Sequence, residues 1–205
     1  RWTNPIIEYQ IGPLSDDAPE DEQVDAILEA AYAWEEASGG MITIEFVGFT
    51  DIDYEKREDE NVIFMVKEGW PFGTSAVAIT RTWGLGSGEI EAFDMHLGDE
   101  NTTFSTSDIP PPGTTDLQNT VTHEFGHVLG LDHSNDPGAC MYSTAVRGET
   151  SKRTLGEDDI AGLQWLYPPG SFDGSLHCNA APGGAAPWGT WFLSLILLRR
   201  RRSKR

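Results

Sequence analysis

The chain has 205 residues, 39% hydrophobic and 10% aromatic, so it can fill one sizeable core and is too apolar for a disordered segment. Its formal net charge is −19, yet six of its 14 basic residues crowd the last seven positions, leaving eight Lys or Arg against 33 Asp or Glu in the first 198. A body at a formal −25 repels nucleic acid and anionic membrane surfaces, which excludes both as its partners.

The chain opens on Arg1 rather than Met, and the start of the reading frame, with room for a signal peptide or an inhibitory prosegment, is expected upstream. Residues 6–11 read as a short strand with Ile7, Tyr9 and Ile11 on one face, followed by an acidic loop at 16–21. Residues 21–38 read as an amphipathic helix. Val24, Ile27, Leu28, Ala31 and Trp34 recur at helical spacing, acids fill the first turn, and Gly39-Gly40 ends it. Residues 41–47 alternate as a half-buried strand, 51–61 form a charged solvated loop, and the apolar run 62–66 suits an inner strand. Further strands are expected at 76–82 and 89–97, with Gly84, Gly86 and Gly88 marking the turn between them.

Pro110-Pro111-Pro112-Gly113 is a hard break. The next helix should run from about Thr115 to about Gly130, with Thr115 and Gln118 spaced as a capping box. A second capping box, Thr154 with Glu157, opens a last helix through Ile160, Leu163, Leu166 and Tyr167, which Pro168-Pro169 stops. One strand, one helix, several strands and two helices in that order argue an α+β fold. Residues 1–169 should form one domain. Residues 170–187 are a Gly/Ala/Pro-rich linker, and 188–205 an apolar run with a basic end.

Residues 123–133 read HEFGHVLGLDH. Histidines four apart stand one turn apart on the same helix face, so His123 and His127 can reach one metal ion at about 2.0–2.1 Å. Gly130 permits the left-handed turn that ends a helix and returns His133 as third ligand. Three nitrogen ligands leave a fourth position open, the arrangement of a catalytic rather than a structural zinc site. Glu124 lies about a quarter turn from His123, placed to act as general base without being a ligand. HExxH arises by chance roughly once per 8,000 positions, and the five residues fixed here roughly once in three million. Histidines merely buried in a core are the competing reading. The helix start before the motif and the Gly after it weigh against that.

With these residues in view, the sequence resembles the metzincins, and within them the matrixins, the group of the matrix metalloproteinases. HEFGHVLGLDHS at 123–134 carries the likeness, together with Cys140-Met141-Tyr142 and LGEDDIAGLQWLYP at 155–168; more loosely, Trp2 to Ile11, the first helix and strands 76–82 and 89–95 fall in the expected order. The resemblance implies a twisted five-stranded sheet over two long helices, with a closing C-terminal helix. It implies one catalytic Zn²⁺ on His123, His127 and His133, Glu124 as base, and a protein or peptide substrate. Met141 would be the Met-turn methionine, supporting the metal from beneath without ligating it. Strand 76–82 would be the edge on which an extended peptide pairs, and 142–154 the wall of the main specificity pocket. Asp158 and Asp159 would lie near the Met-turn, unless they are simply acids favoured at a helix N-terminus.

There are departures from that pattern. Residues 92–94 read Ala-Phe-Asp where the family carries His-Phe-Asp, so no structural zinc is expected. His96 reads as a strand residue facing solvent. Asp94, Asp99 and Glu100 are candidate Ca²⁺ ligands.

The tail resembles the tripartite C-terminal sorting tails of bacterial cell-surface proteins, of the myxobacterial type with a Cys before the linker. Here Cys178 is the candidate processing or lipid-attachment residue. The apolar run 188–198 is short for a full membrane span of about 20 residues, and the arginines after it should stay cytoplasmic. A plain membrane anchor is the alternative, and a Cys140–Cys178 pairing stays open. The chain is thus expected to be exported, monomeric, and in contact with membrane only through this tail.

Two readings compete with an active endopeptidase. One is a catalytically weak surface protein-binding module on the same scaffold, against which an intact Glu124 argues. The other is a different zinc hydrolase, such as an amidase or deacetylase, against which His133 and Met141 argue.

Overall fold

A computed structural model describes residues 1–52, 60–84, 86 and 88–172. Strand β1 (Ile6–Ile11) turns Ile7, Tyr9 and Ile11 into the core, as its alternation dictates. It pairs in parallel with β2 (Thr43–Phe49) on one side and β3 (Val62–Met65) on the other. Parallel neighbours need a crossover, and α1 (Glu20–Ala37) supplies it between β1 and β2. Strand β5 (Ala92–Leu97) pairs in parallel with β3 and antiparallel with β4 (Ala78–Trp83). The sheet order is β2-β1-β3-β5-β4, so β4 is an edge and β3 an inner strand with all four residues buried.

Helix α1 buries Gln23, Ile27, Ala30, Ala31 and Trp34. Leu28, expected on that face, is 38% exposed; Ala30 occupies the inner stripe instead. The buried Gln23 amide is fully engaged, taking Ser15 N and donating to Ser15 O and Ala18 O, which straps the acidic loop onto the helix. Helix α2 (Leu117–Val128) packs against α1, and Trp34 Nε1 donates to Thr122 O at 2.8 Å.

Both helix starts differ from the capping boxes read in the sequence. Thr115 belongs to a small ladder of β6 (Phe104–Ser105) with β7 (Thr115–Asp116), so Asp116 becomes the cap of α2, accepting from Asn119 N at 2.7 Å. Helix α3 (Glu157–Leu166) starts after Gly156, whose N–H is taken by Asp159 at 2.7 Å, while Thr154 lies in extended backbone.

Helix α3 closes the domain through Leu163 and Tyr167. Tyr167 Oη donates to Leu129 O at 2.8 Å and accepts from Trp2 N at 3.0 Å, while Trp2 Nε1 donates to Val128 O at 2.7 Å. These are C-terminal carbonyls of α2, which have no partner inside their own helix.

The opposite face of the sheet carries a second apolar cluster of Val62, Phe64 and Val66 under Ile52 and Trp70. His96 belongs on this face and does not face solvent as the sequence suggested. It is 3% exposed and packs against the rings of Phe64 (5.4 Å) and Phe72 (5.5 Å), because the 70–72 segment folds over it. Burial, helped by Arg81, pushes its pKa down to about 4. The α+β architecture with a five-stranded sheet and three helices stands as expected.

Candidate metal centre

Helix α2 projects His123 and His127 from one face, their ring centroids 4.9 Å apart. Gly130, at φ +95°, then reverses the chain, with Leu131 N donating to Gly126 O at 2.9 Å. The return brings the ring of His133 to 5.3 Å from His123 and 4.9 Å from His127. The ligand atoms of these three residues all lie within 4.8 Å of one another. Among the described residues this is the one such group of three His, Cys, Asp or Glu. Asp94, Asp99 and Glu100, the candidate calcium ligands, form no such group there. Asp99 accepts from Ser15 Oγ at 2.6 Å and Glu100 from Trp70 N at 2.6 Å.

The tautomers follow from the partners. His123 Nδ1 faces Cys140 O at 2.7 Å and His127 Nδ1 faces Leu131 O at 2.8 Å. A carbonyl can only accept, so each Nδ1 carries the proton and each Nε2 keeps its lone pair. Burial lowers the pKa of His123 to about 3, against the pull of the Cys140 carbonyl, and burial likewise lowers His127. Two rings held neutral and orientationally fixed, with a third closing the triangle, fit a zinc ion.

Glu124, the residue after His123 on α2, is 5% exposed and lines the same cleft as the histidines. Thr80 Oγ1, on the edge strand β4, donates to Glu124 Oε2 at 2.7 Å. Burial pushes the carboxyl up to about 7, while Thr80 and, more weakly, Lys152 hold it down. No local pattern points to Thr80: 44 positions separate it from Glu124, and only the folded sheet brings them together.

Met141 lies beneath this turn of α2, 2% exposed. The helix admits it because residue 126 is Gly. A Cβ there would stand 2.1 Å from Met141 Sδ and 2.8 Å from Trp34 Cζ2. The backbone at 140–141 hangs on Asp159, which accepts from Cys140 N at 2.6 Å and Met141 N at 2.9 Å as well as from Gly156 N. Asp158 has a different task, accepting from Ser134 Oγ at 2.5 Å just past His133. Cys140 is buried, and its thiol pKa is raised by that burial. Cys178, with the rest of 173–205, falls outside the described residues.

The centre opens into a cleft of about 630 Å³. Residues 75–80 and Thr82 of the edge-strand region make one wall, α2 and 130–133 the floor, and 143–145 with Lys152 the other wall.

Comparison with known proteins agrees with this geometry. The chain is 34% identical to human neutrophil collagenase over 170 residues, 82% of this chain and 33% of that protein. It is 29% identical to matrix metalloproteinase-18 of Xenopus laevis over 166 residues, 81% of this chain and 33% of the relative. With human matrix metalloproteinase-15 the figures are 27% over 174 residues, 82% and 25%. The chain therefore spans a third or less of the length of these relatives. The matrixin family profile matches residues 1–168, from the first residue to the end of α3 and just beyond, and the chain belongs to the matrixin family.

Proposed function

We propose that the chain is a zinc-dependent endopeptidase that hydrolyses extracellular proteins, with Glu124 as its general base. The observation that carries this reading is the buried Glu124 carboxylate, which lines the same cleft as His123, His127 and His133 beside an edge strand. When bound by His123, His127 and His133, zinc supplies Lewis-acid chemistry that polarises a carbonyl and acidifies water.

The chain's own residues do the rest. Edge strand β4 offers backbone groups to an extended peptide, which adds as a further strand and is thereby laid across α2. Thr80 occupies Glu124 Oε2, so Oε1 is the atom that takes the proton of the attacking water and passes it to the leaving amine.

Incubating the whole protein with a diverse peptide library, with and without chelator, tests the reading, together with elemental analysis for one zinc per chain. Cleavage sites read by mass spectrometry should vanish with chelator. No transition metal after zinc-replete preparation, or no chelator-sensitive cleavage, would sink it.

Thr80→Val should lower kcat roughly tenfold while zinc content holds, because a charge-assisted hydrogen bond to the base is lost. An unchanged kcat would remove Thr80 from any role in orienting Glu124.

We further propose that the enzyme works outside the cell, held or sorted by its tail, with Cys178 as the processed residue. The domain, the 170–187 linker with Cys178 inside it, the short apolar run and the arginine cluster follow one another in the order such a tail needs. Intact-mass analysis of the envelope-associated protein should show a chain shortened or modified at Cys178. A chain still ending in Arg205 with an unmodified thiol would reduce the tail to a plain anchor.

A further inference from the structure

Lysine is rarely buried without a task, yet Lys152 is only 5% exposed and lines the active cleft beside His123 and Glu124. Its placement is over-determined. Its backbone N–H donates to Asn119 Oδ1 at 2.8 Å, in the first turn of α2. Arg153, the next residue, grips the capping carboxylate of the same helix, Nε reaching Asp116 Oδ1 at 2.8 Å with Nη2 on the second oxygen. Arg153 Nη2 also donates to Ser107 O at 2.8 Å. The short 3-10 turn Ser151–Arg153 is thereby clamped to the helix that carries His123 and His127. Lys152 Nζ in turn donates to the carbonyl of Tyr142, directly after the Met-turn methionine.

An ammonium has three donors, and one is used on Tyr142. Around it this end of the cleft offers small and hydroxyl-bearing side chains: Thr120, Ser143, Thr144 and Ala145. The carboxylates lining the cleft are Glu124, engaged with Thr80, and Asp132, beside His133. Lys152 is the one Lys or Arg in that lining, and it sits in a body whose outer surface is strongly acidic.

We propose that Lys152 makes this pocket select an acidic side chain, Asp or Glu, at a substrate position flanking the scissile bond. The proposal rests on the endopeptidase reading above and names the substrate class of that same site. A carboxylate entering the pocket completes the hydrogen bonds of a desolvated ammonium. An apolar side chain of the same size would leave those donors stranded, which is the situation in which a polar pocket discriminates most strongly. The acidic exterior repels uniformly acidic chains, so the preferred substrate carries an isolated acid in an otherwise neutral or basic stretch.

The test uses the whole zinc-loaded protein and matched peptides differing only by Glu or Gln at each flanking position. The wild type should cleave the Glu peptide roughly tenfold or more faster in kcat/KM at one of these positions. In Lys152→Met, which keeps the length of the side chain, the Glu-to-Gln ratio should fall to about one, with melting temperature and zinc content recorded alongside. If Lys152 only tethers Tyr142, both peptides slow together and the ratio stays put, which overturns the proposal. A wild-type ratio near one overturns it as well, and that measurement decides the matter even if the variant fails to fold. Absence of chelator-sensitive cleavage of every peptide is a different result: it removes the endopeptidase reading and this one with it.

Discussion

Glu124→Gln should give a folded, zinc-loaded protein that hydrolyses peptides about 10²–10⁴-fold more slowly. The amide keeps the shape of the side chain, and its carbonyl oxygen can still accept from Thr80 Oγ1, 2.7 Å away in the native protein. It cannot take a proton from water, so the loss falls on chemistry. The metal should stay, because His123 and His127 are oriented by the carbonyls of Cys140 and Leu131 and not by Glu124. Removing a buried carboxylate also removes a desolvation cost, so the melting temperature should not fall. Steady-state kinetics with elemental analysis checks the claim. Turnover like the wild type would refute the role of base, and loss of zinc would show that Glu124 holds the site together.

The second large effect is on stability. Met141→Ala should destabilise the domain by about 2–5 kcal/mol, the range for truncating a buried methionine, while zinc is retained. The side chain is 2% exposed and fills the space under α2 that Gly126 leaves open. The cavity would border Trp34, which is pinned to Thr122 O, so the surroundings have little freedom to collapse. The thioether is a soft, weak donor for zinc, and His123, His127 and His133 already offer three imidazole nitrogens within 4.8 Å of one another. A melting temperature equal to the wild type would overturn the Met-turn assignment.

What the sequence made legible was periodic or local. The alternation of Ile7, Tyr9 and Ile11, the apolar run of β3, and the spacing of His123, His127 and His133 each encode their own geometry. The helix caps were missed because tertiary context intervened. Thr115 was drawn into a ladder with Phe104, and the cap of α3 is a backbone N–H held from within the helix by Asp159. His96 was misplaced because nothing in its own strand announces that Phe72 and Trp70 fold across it. Thr80 and Lys152 reach the centre from other segments, and single-residue patterns cannot report a meeting between them. Asp159 was within reach of the family resemblance, yet its three backbone donors appear only in the fold.

The two clamps on the end of α2 bear on how the protein is made. Trp2 reaches Val128 O and Tyr167 reaches Leu129 O, so residues far apart in sequence finish the helix that carries His123 and His127. A growing chain on the ribosome holds the whole HEFGH motif long before Tyr167 has emerged. Until then the last turn of α2 lacks one of its buried partners, and the hydrogen bond from Tyr167 Oη to a carbonyl 38 residues earlier cannot form. The last turn of α2 thus depends on a contact of long sequence separation, the kind that costs most loop-closure entropy to make. The end of α2 is therefore complete only once the chain has been made as far as Tyr167.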